Sequence, residues 1–244
     1  ALKDANDGVA WSEWDEDLKF RKPEAIEAAR EKYNDDINFY KMLQYLFFKQ
    51  WTALKAYAND KGIRIIGDVP IYVAMDSADV WANPTQFYLD EELNPIEVAG
   101  CPPDAFSADG QLWGNPLYHW DAHKDQGFAW WILRIRTQLE NLDILRIDHF
   151  RGFEAYWSIP YGEETAVNGQ WIKAPGHELF QAVKQELGEE LPIIAEDLGV
   201  ITAEVNALRE AFHFPGMKVL QFAFDSTGES NYLPHQYTSP ECVC

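Results

Sequence analysis

Several short apolar runs in this chain end in carboxylate side chains. The runs read IIGD, LRID, IAED and FAFD, and they end at Asp68, at Asp148, at Glu196 with Asp197, and at Asp225. Short apolar runs of this kind predict buried strands, and the carboxyl ends of parallel strands in a barrel surround its active site. We therefore expect these carboxylates to converge on one mouth. Two chemistries fit such a mouth: glycoside cleavage by a carboxylate pair and a divalent-metal cage.

The neighbours of two carboxylates favour glycoside chemistry. Arg146 stands two residues before Asp148 and thus on the same side of the strand, where a guanidinium keeps a carboxylate ionised, as a nucleophile requires. Glu196 follows Ile-Ile-Ala, and an apolar wall raises the pKa of a carboxyl toward that of a useful general acid. The loop over residues 101–120 supplies candidate sugar-stacking rings and amides, namely Phe106, Trp113, Tyr118, Trp120, Gln111 and Asn115.

Each of these residues also has a plainer interpretation. A lone aspartate at a strand end is usually a cap or a loop hydrogen-bonding group, and the loop tryptophans taken alone would be core residues. His149 is expected to form hydrogen bonds rather than to bind metal. A magnesium-dependent lyase or isomerase with Asp68, Asp148 and Glu196 as ligands stays open, although no lysine stands at a strand end, where such enzymes often need one.

Composition limits the classes of partner. The chain has 244 residues, 47% of them hydrophobic, and a formal net charge of −20. This charge argues against nucleic acid, anionic membrane surfaces and polyphosphates as main partners and fits a neutral substrate. Three cysteines in a chain of this size suggest a reducing compartment rather than a disulfide framework. We find no apolar run long enough to cross a bilayer and expect a cytoplasmic protein.

Hydrophobic periodicity predicts an alternation of helices and strands. Helices are predicted from residue 23 and over 35–59, 127–141, 177–187 and 202–211. Strands are predicted over 63–74, 142–148, 191–199 and 217–225, the first of them buried on both faces. Residues 76–125 and 152–175 lack a regular pattern, and residues 230–244 are predicted to be loop. A long irregular stretch in a compact domain is normally functional.

The alternation predicts an α/β fold with parallel strands and outer helices. Four such units make half of a (β/α)8 TIM barrel, and the long loops follow strands, where barrel active sites lie. A doubly wound sheet is the alternative, but it calls for a glycine-rich phosphate loop after a strand, and the sequence has none.

Several long motifs resemble one family. GDVPIYVAMDSADVW, PPDAFSADGQLWGNPLYHW, RIDHFRGFEAYWSIP and AEDLGVIT resemble, in this order, motifs of the 4-α-glucanotransferases, also called amylomaltases. The resemblance implies a TIM barrel of the α-amylase clan with long inserted loops. It also implies transfer of α-1,4-glucan segments between malto-oligosaccharides with retention of configuration, and no cofactor or metal.

Matched motif to motif, the resemblance implies a role for individual residues. Asp148 is implied as the nucleophile and Glu196 as the acid/base, with Arg146 and Asp68 beside them. Residues implied to contact substrate are Gln111 and Trp113, while residues 102–108 resemble the family's lid loop. Residues 76–125 would then be an inserted region including that lid, and residues 1–34 an insertion or subdomain-like segment of one partial catalytic domain.

The chain departs from the family pattern in one respect. The family has a third carboxylate in a His-Asp-Asn motif, which we expect to lie past Cys244. We therefore expect a barrel truncated at both ends and a 244-residue fragment that is inactive alone. Three rival functions stay open: an α-glucan hydrolase or branching enzyme of the same clan, the magnesium-dependent enzyme above, and a non-catalytic glucan-binding remnant.

Overall fold

The computed structural model describes residues 1–104, 107–224, 230, 232–237 and 240–244. Its helices are α1 (Leu2–Ala5), α2 (Glu16–Lys19), α3 (Pro23–Lys32), α4 (Asn34–Asp60), α5 (Ala78–Ala82), α6 (Trp120–Asp125), α7 (Ala129–Asn141), α8 (Gly176–Leu187) and α9 (Ala203–Ala211). Its strands are β1 (Ile66–Pro70), β2 (Glu97–Cys101), β3 (Gln111–Pro116), β4 (Ile144–Asp148), β5 (Ala155–Pro160), β6 (Gln170–Lys173), β7 (Ile193–Ala195), β8 (Gly216–Lys218) and β9 (Glu241–Val243). The architecture is mixed α/β.

Three of the predicted strands lie side by side in a parallel sheet. The order within the described residues is β1-β4-β7, with Asp68 opposite Arg146 and Ile147 opposite Ala195. The prediction that β1 spans residues 63–74 and is buried on both faces was wrong. The strand is five residues long and Ile66 is 52% exposed. Among the described residues it pairs with β4 alone, so it is an edge strand and one side of it is open.

The stretches predicted to lack regular structure form a second sheet. Strands β2 and β3 lie within residues 76–125, β5 and β6 lie within residues 152–175, and the four pair antiparallel in the order β3-β2-β5-β6. The prediction failed because β2 pairs with β5 across more than fifty residues of chain, and nothing in a local pattern signals such a pairing. This sheet carries Gln111 and Trp113 on β3 toward the carboxyl end of β4.

The last part of the chain differs from its prediction in two ways. The strand predicted over residues 217–225 ends at Lys218 and is followed by a 3-10 helix over Leu220–Phe224, while Asp225 lies outside the described residues. The alternating apolar pattern here does not mark a strand, since Phe222 and Phe224 are exposed. Residues predicted as loop include β9, which pairs in parallel with β8.

The core lies between the parallel sheet and helices α7, α8 and α9. Its largest fully buried side chains include Trp131, Phe150, Phe153 and Phe180, which pack edge-to-face or offset-stacked at centroid distances of 5.0–6.0 Å. The long helix α4 lies where its periodicity predicts, but it buries none of its residues in the described structure. No helix among the described residues is long and apolar enough to cross a membrane.

Candidate active site

Arg146 joins two of the predicted carboxylates at the sheet edge. Its Nη1 lies 2.6 Å from Oδ1 of Asp68 on β1, and its Nη2 lies 2.8 Å from Oδ1 of Asp148 at the end of β4. The parallel register places Asp68 and Arg146 side by side, while the period of two places Arg146 and Asp148 on one face. The guanidinium is thus fixed between two carboxylates, and Asp148 is held in place with one oxygen engaged.

Glu196 follows the next strand, β7, and lies in a different environment. Its Oε2 accepts a hydrogen bond from the backbone N–H of His149 at 2.8 Å, and its Oε1 accepts one from Leu198 at 2.7 Å. Burial raises the pKa of Glu196, the two N–H donors oppose this, and the Asp148 charge raises the pKa further while Arg146 lowers it. The net shift is upward, as the apolar run before Glu196 predicts.

A cavity of about 650 Å³ opens in front of these groups. Its lining includes Asp148 and Glu196 together with Gln111 and Trp113, as the sequence predicts. The indole Nε1 of Trp113 donates to Oε1 of Gln111 at 3.1 Å, and Trp113 is 37% exposed. The cavity is large enough for sugar rings and presents both carboxylates and an aromatic ring.

Two described site residues from the prediction, Asn115 and Asp68, are not part of this lining. Asn115 donates to the backbone carbonyl of Val73 at 2.9 Å and is not part of the lining. Asp68 touches the site through Arg146 but faces a neighbouring cavity. Phe106 lies outside the described residues.

Two aromatic residues considered as stacking faces belong to the core instead. Tyr118 is 3% exposed and donates from its hydroxyl to the carbonyl of Ile71. Trp120 packs against Tyr118 and Phe153. The chain is buried from Pro116 to Tyr118, and the ring of Tyr118 packs against Trp130 and Trp131 of α7.

Asp197 is a structural carboxylate rather than a part of the mouth. It is buried, lies 3.4 Å from the guanidinium of Arg209, and accepts from the backbone N–H of Met217 at 2.8 Å. Adjacent residues at a strand end point to opposite sides, so Glu196 faces the cavity and Asp197 does not. Asp197 anchors β8 beside β7.

Arg151 and Trp171 line the cavity but were not among the predicted site residues. Arg151 lies with its guanidinium 3.9 Å from the ring centroid of Trp171 and donates to the carbonyl of Val200 at 2.6 Å. Both Arg151 and Trp171 line the cavity, and Trp171 is 41% exposed. Trp171 lies on β6, in a stretch that the sequence pattern predicts as irregular, so only the arginine beside the LRID motif gave a signal.

The described residues were considered as possible metal ligands. No group of three or more His, Cys, Asp or Glu side chains among them is arranged to hold a metal ion. The Arg146 guanidinium stands between Asp68 and Asp148, where a cation would have to bind. A separate cavity of about 460 Å³ near the first helices is lined by Trp11, Trp14 and Trp81, and the one carboxylate in its lining, Asp76, pairs with Lys3.

Comparison with known proteins identifies the family. The family model described as 4-alpha-glucanotransferase matches residues 1–244. The chain belongs to the 4-alpha-glucanotransferase family. The resemblance read from the sequence motifs is thereby confirmed.

Individual members of this family match all or nearly all of the chain. A 4-alpha-glucanotransferase of Synechocystis is 55% identical over 244 residues, which are 100% of this chain and 48% of the relative. One from Thermus thermophilus is 55% identical over 237 residues, 97% of this chain and 47% of the relative. The solved amylomaltase of Streptococcus agalactiae in complex with acarbose matches with a TM-score of 0.93 and 48% identity, over 100% of this chain and 49% of that one. The chain therefore spans about half the length of the relatives it matches.

Proposed function

We propose that residues 1–244 carry the nucleophile and the acid/base of a retaining 4-α-glucanotransferase. The proposal rests on one observation: two carboxylates, Asp148 and Glu196, lie at the ends of neighbouring strands in different environments. Asp148 is bound to a guanidinium, whereas Glu196 is half-buried and its pKa is raised, chiefly by burial. A carboxyl whose pKa is raised suits the role of acid, and a carboxylate held by a guanidinium suits that of nucleophile.

The reaction would be a double displacement. Asp148 attacks the anomeric carbon of an α-1,4-linked glucose unit while Glu196 protonates the departing glycosidic oxygen. A 4-hydroxyl of a second malto-oligosaccharide then attacks the glucosyl ester, with Glu196 as base, which restores the original configuration. No cofactor or metal is required by this scheme. A retaining enzyme needs the two carboxyl groups roughly 5–5.5 Å apart.

The fold supports a finer assignment as part of a (β/α)8 barrel with inserted loops. Parallel strands β1, β4 and β7 follow helices in the chain, and β8 and β9 pair in parallel in a separate two-stranded sheet. Residues 76–125 would be an insertion that includes a lid, and residues 1–34 a second inserted segment. Substrate contacts are assigned to Gln111 and Trp113 in the cavity, to Asp68 beside Arg146, and by resemblance to Phe106. Asn115 is assigned a supporting role beneath them.

The substrate class is supported from two directions. A cavity with an indole ring, an amide and two carboxylates suits neutral sugar rings, and the structural neighbour from Streptococcus agalactiae was solved with acarbose. The net charge of −20 fits a neutral substrate. The three cysteines are free, which agrees with the proposed cytoplasmic location.

Incubation of the full-length protein with maltotriose tests the function. We expect glucose and a ladder of longer maltodextrins with no net increase in reducing ends, and we expect Asp148→Ala to abolish both. A rise in reducing ends would instead indicate a hydrolase, and new α-1,6 linkages would indicate a branching enzyme. Loss of activity in EDTA would favour a metal-dependent enzyme and contradict the proposal. Glucan binding without turnover would indicate a non-catalytic remnant.

A further inference from the structure

We propose that His149 is a positioning residue, which holds the side chain of Glu196 through its backbone N–H by adopting a left-handed conformation. The proposal rests on the role assigned to Glu196 above. His149 follows the proposed nucleophile directly, so one peptide unit would connect the two reacting carboxylates. The proposal assigns the imidazole no role as a catalytic acid, base or ligand.

The backbone geometry of His149 is the first observation. Its φ is 54° and its ψ is 48°, in the left-handed region that side chains with a Cβ rarely adopt. Its N–H lies 2.8 Å from Oε2 of Glu196. A residue held in this region beside a cavity lined by carboxylates is the kind of strain that accompanies a functional requirement.

The neighbouring hydrogen bonds show what the left-handed turn accomplishes. The carbonyl of Ile147 accepts from the backbone N–H of Glu196 at 3.0 Å, and the N–H of Phe150 donates to the backbone carbonyl of Glu196 at 3.1 Å. The backbone of Glu196 is thus hydrogen-bonded to Ile147 before His149 and to Phe150 after it. Between these two contacts, the N–H of His149 turns to the side chain of Glu196 instead of its backbone.

The rest of His149 is fixed as well. Its carbonyl accepts from the N–H of Gly152 at 3.0 Å, and its ring meets Trp113 edge-on at a centroid distance of 4.8 Å. Burial and the charge of Arg151 lower the pKa of His149 to about 4. The ring is therefore neutral near pH 7 and adds no positive charge beside Glu196, which would otherwise lower the pKa of the proposed acid.

Nuclear magnetic resonance of the full-length protein labelled with 15N-histidine tests the hydrogen bond without reference to activity. We expect the amide proton of His149 to shift with pH with a midpoint above the ordinary value for glutamate, and to lose this titration in Glu196→Gln. The charged and titratable groups that act on Glu196 or respond to it are Arg146, Asp148, Cys101 and Tyr232. An amide of His149 that does not titrate while Glu196 does would overturn the proposal.

Three substitutions test the role of the left-handed conformation in turnover. Asn and Gly tolerate positive φ, whereas a β-branched residue does not, so His149→Asn and His149→Gly should keep most of the transferase kcat. His149→Val should lose roughly 10- to 100-fold, the effect expected when a catalytic group is misplaced. The matched control is His213→Val. His213 also has a left-handed φ of 57°, but it is exposed and its N–H donates to the carbonyl of Glu210.

The pH profile separates positioning from general damage. Loss of the N–H donor removes a group that stabilises the Glu196 carboxylate, so the pKa of Glu196 rises and the alkaline limb of kcat/KM in His149→Val should move to higher pH. Asn and Gly variants as impaired as Val, with the limb unmoved, would overturn the proposal. If His149→Val does not fold, the amide titration decides. A wild-type protein that transfers no glucan would refute the proposed function, whereas the titration still reports on His149.

Discussion

At the scale of single residues, the site separates two carboxylates by what surrounds them. Asp148 is partly exposed and shares Arg146 with Asp68, so it has a cation at hand to stabilise its charge. Glu196 is half-buried, and its ionised form is disfavoured by burial and by the nearby Asp148. The same functional group, a carboxyl, would then serve as nucleophile in one place and as proton donor in the other. Because the charge of Asp148 raises the pKa of Glu196, a substitution that removes this charge should lower the pKa of Glu196.

The raised pKa of Glu196 leads to a prediction about pH. Glu196 must be protonated when the glycosidic bond breaks, so kcat/KM for maltotriose should fall as pH rises through its pKa, at a value above the ordinary 4.5 of a glutamate. Release of fluoride from α-glucosyl fluoride needs no proton donor and should lack this alkaline limb. Glu196→Gln should lose about 10²- to 10⁴-fold on maltotriose while keeping a fast release of fluoride. Equal losses on both substrates would contradict the assignment of Glu196 as acid.

A second prediction concerns Trp113, whose ring is exposed in the cavity. Stacking of a sugar on an indole contributes on the order of 1 kcal/mol. Trp113→Ala should therefore raise KM about fivefold with a smaller effect on kcat, and Trp113→Phe should recover part of the loss. Isothermal titration with maltodextrin on an Asp148→Ala background would measure the affinity directly. Unchanged affinity would count against a stacking role.

Among the helices and strands, the local sequence pattern correctly predicted those whose formation depends on nearby residues. The helices α3, α4, α7, α8 and α9 lie where periodicity and propensity place them, since a helix satisfies its own backbone. The strand ends of β4 and β7 were predicted because each apolar run stops at a charged residue. The placement of Asp148 and Glu196 at neighbouring strand ends could therefore be predicted by assuming that β4 and β7 are parallel neighbours.

What could not be predicted depends on contacts between distant segments. Strand β3 carries Trp113 to the site by pairing with β2, and Trp171 arrives on β6, which pairs with β5. The strand alternation alone does not say which of Glu196 and Asp197 faces the cavity, because that depends on Arg209 in α9. The left-handed turn at His149 could not be predicted either, because histidine adopts positive φ in only a minority of its occurrences and the residue type alone does not signal it.

The antiparallel sheet gives a prediction about the support of the site. A Cβ added at Gly100 would lie 2.2 Å from the carbonyl oxygen of Gln111 and 2.6 Å from Cδ1 of Ile159, so β2 and β3 would have to separate. Gly100→Ala should lower stability by about 1–3 kcal/mol and weaken maltodextrin binding. Gly8→Ala is the control, because its added Cβ meets no atom within 4 Å and the substitution introduces backbone strain alone. Chemical denaturation that gives equal losses for both variants would refute the steric argument.

At the scale of the whole molecule, this chain covers about half of the relatives it matches. Among the described residues, β1 has an unpaired edge and α4 exposes large apolar side chains such as Phe39, Met42 and Phe47. An open parallel edge and an uncovered helix face are features that a complete barrel buries. Both features are consistent with a functional unit larger than these residues.

This leads to a prediction for residues 1–244 expressed alone. They should show no disproportionation of maltotriose, because β1 has an unpaired edge among the described residues and residues 1–244 contain no His-Asp-Asn sequence, the motif in which the family resemblance implies a third carboxylate. The full-length protein should be active under the same conditions. A robust ladder of maltodextrins from residues 1–244 alone would contradict the expectation. Circular dichroism would confirm that the isolated segment has folded.

Asp148 should become covalently attached to glucose during turnover, and trapping of this intermediate would reveal the attachment. Full-length Glu196→Gln would be incubated with α-glucosyl fluoride without an acceptor, digested, and mapped by mass spectrometry. We predict one glucosyl unit on the peptide that contains Asp148, absent in Asp148→Ala and discharged by added maltose. A glucosyl unit on Asp68 or elsewhere, or fluoride release without any adduct in an otherwise active protein, would contradict the account.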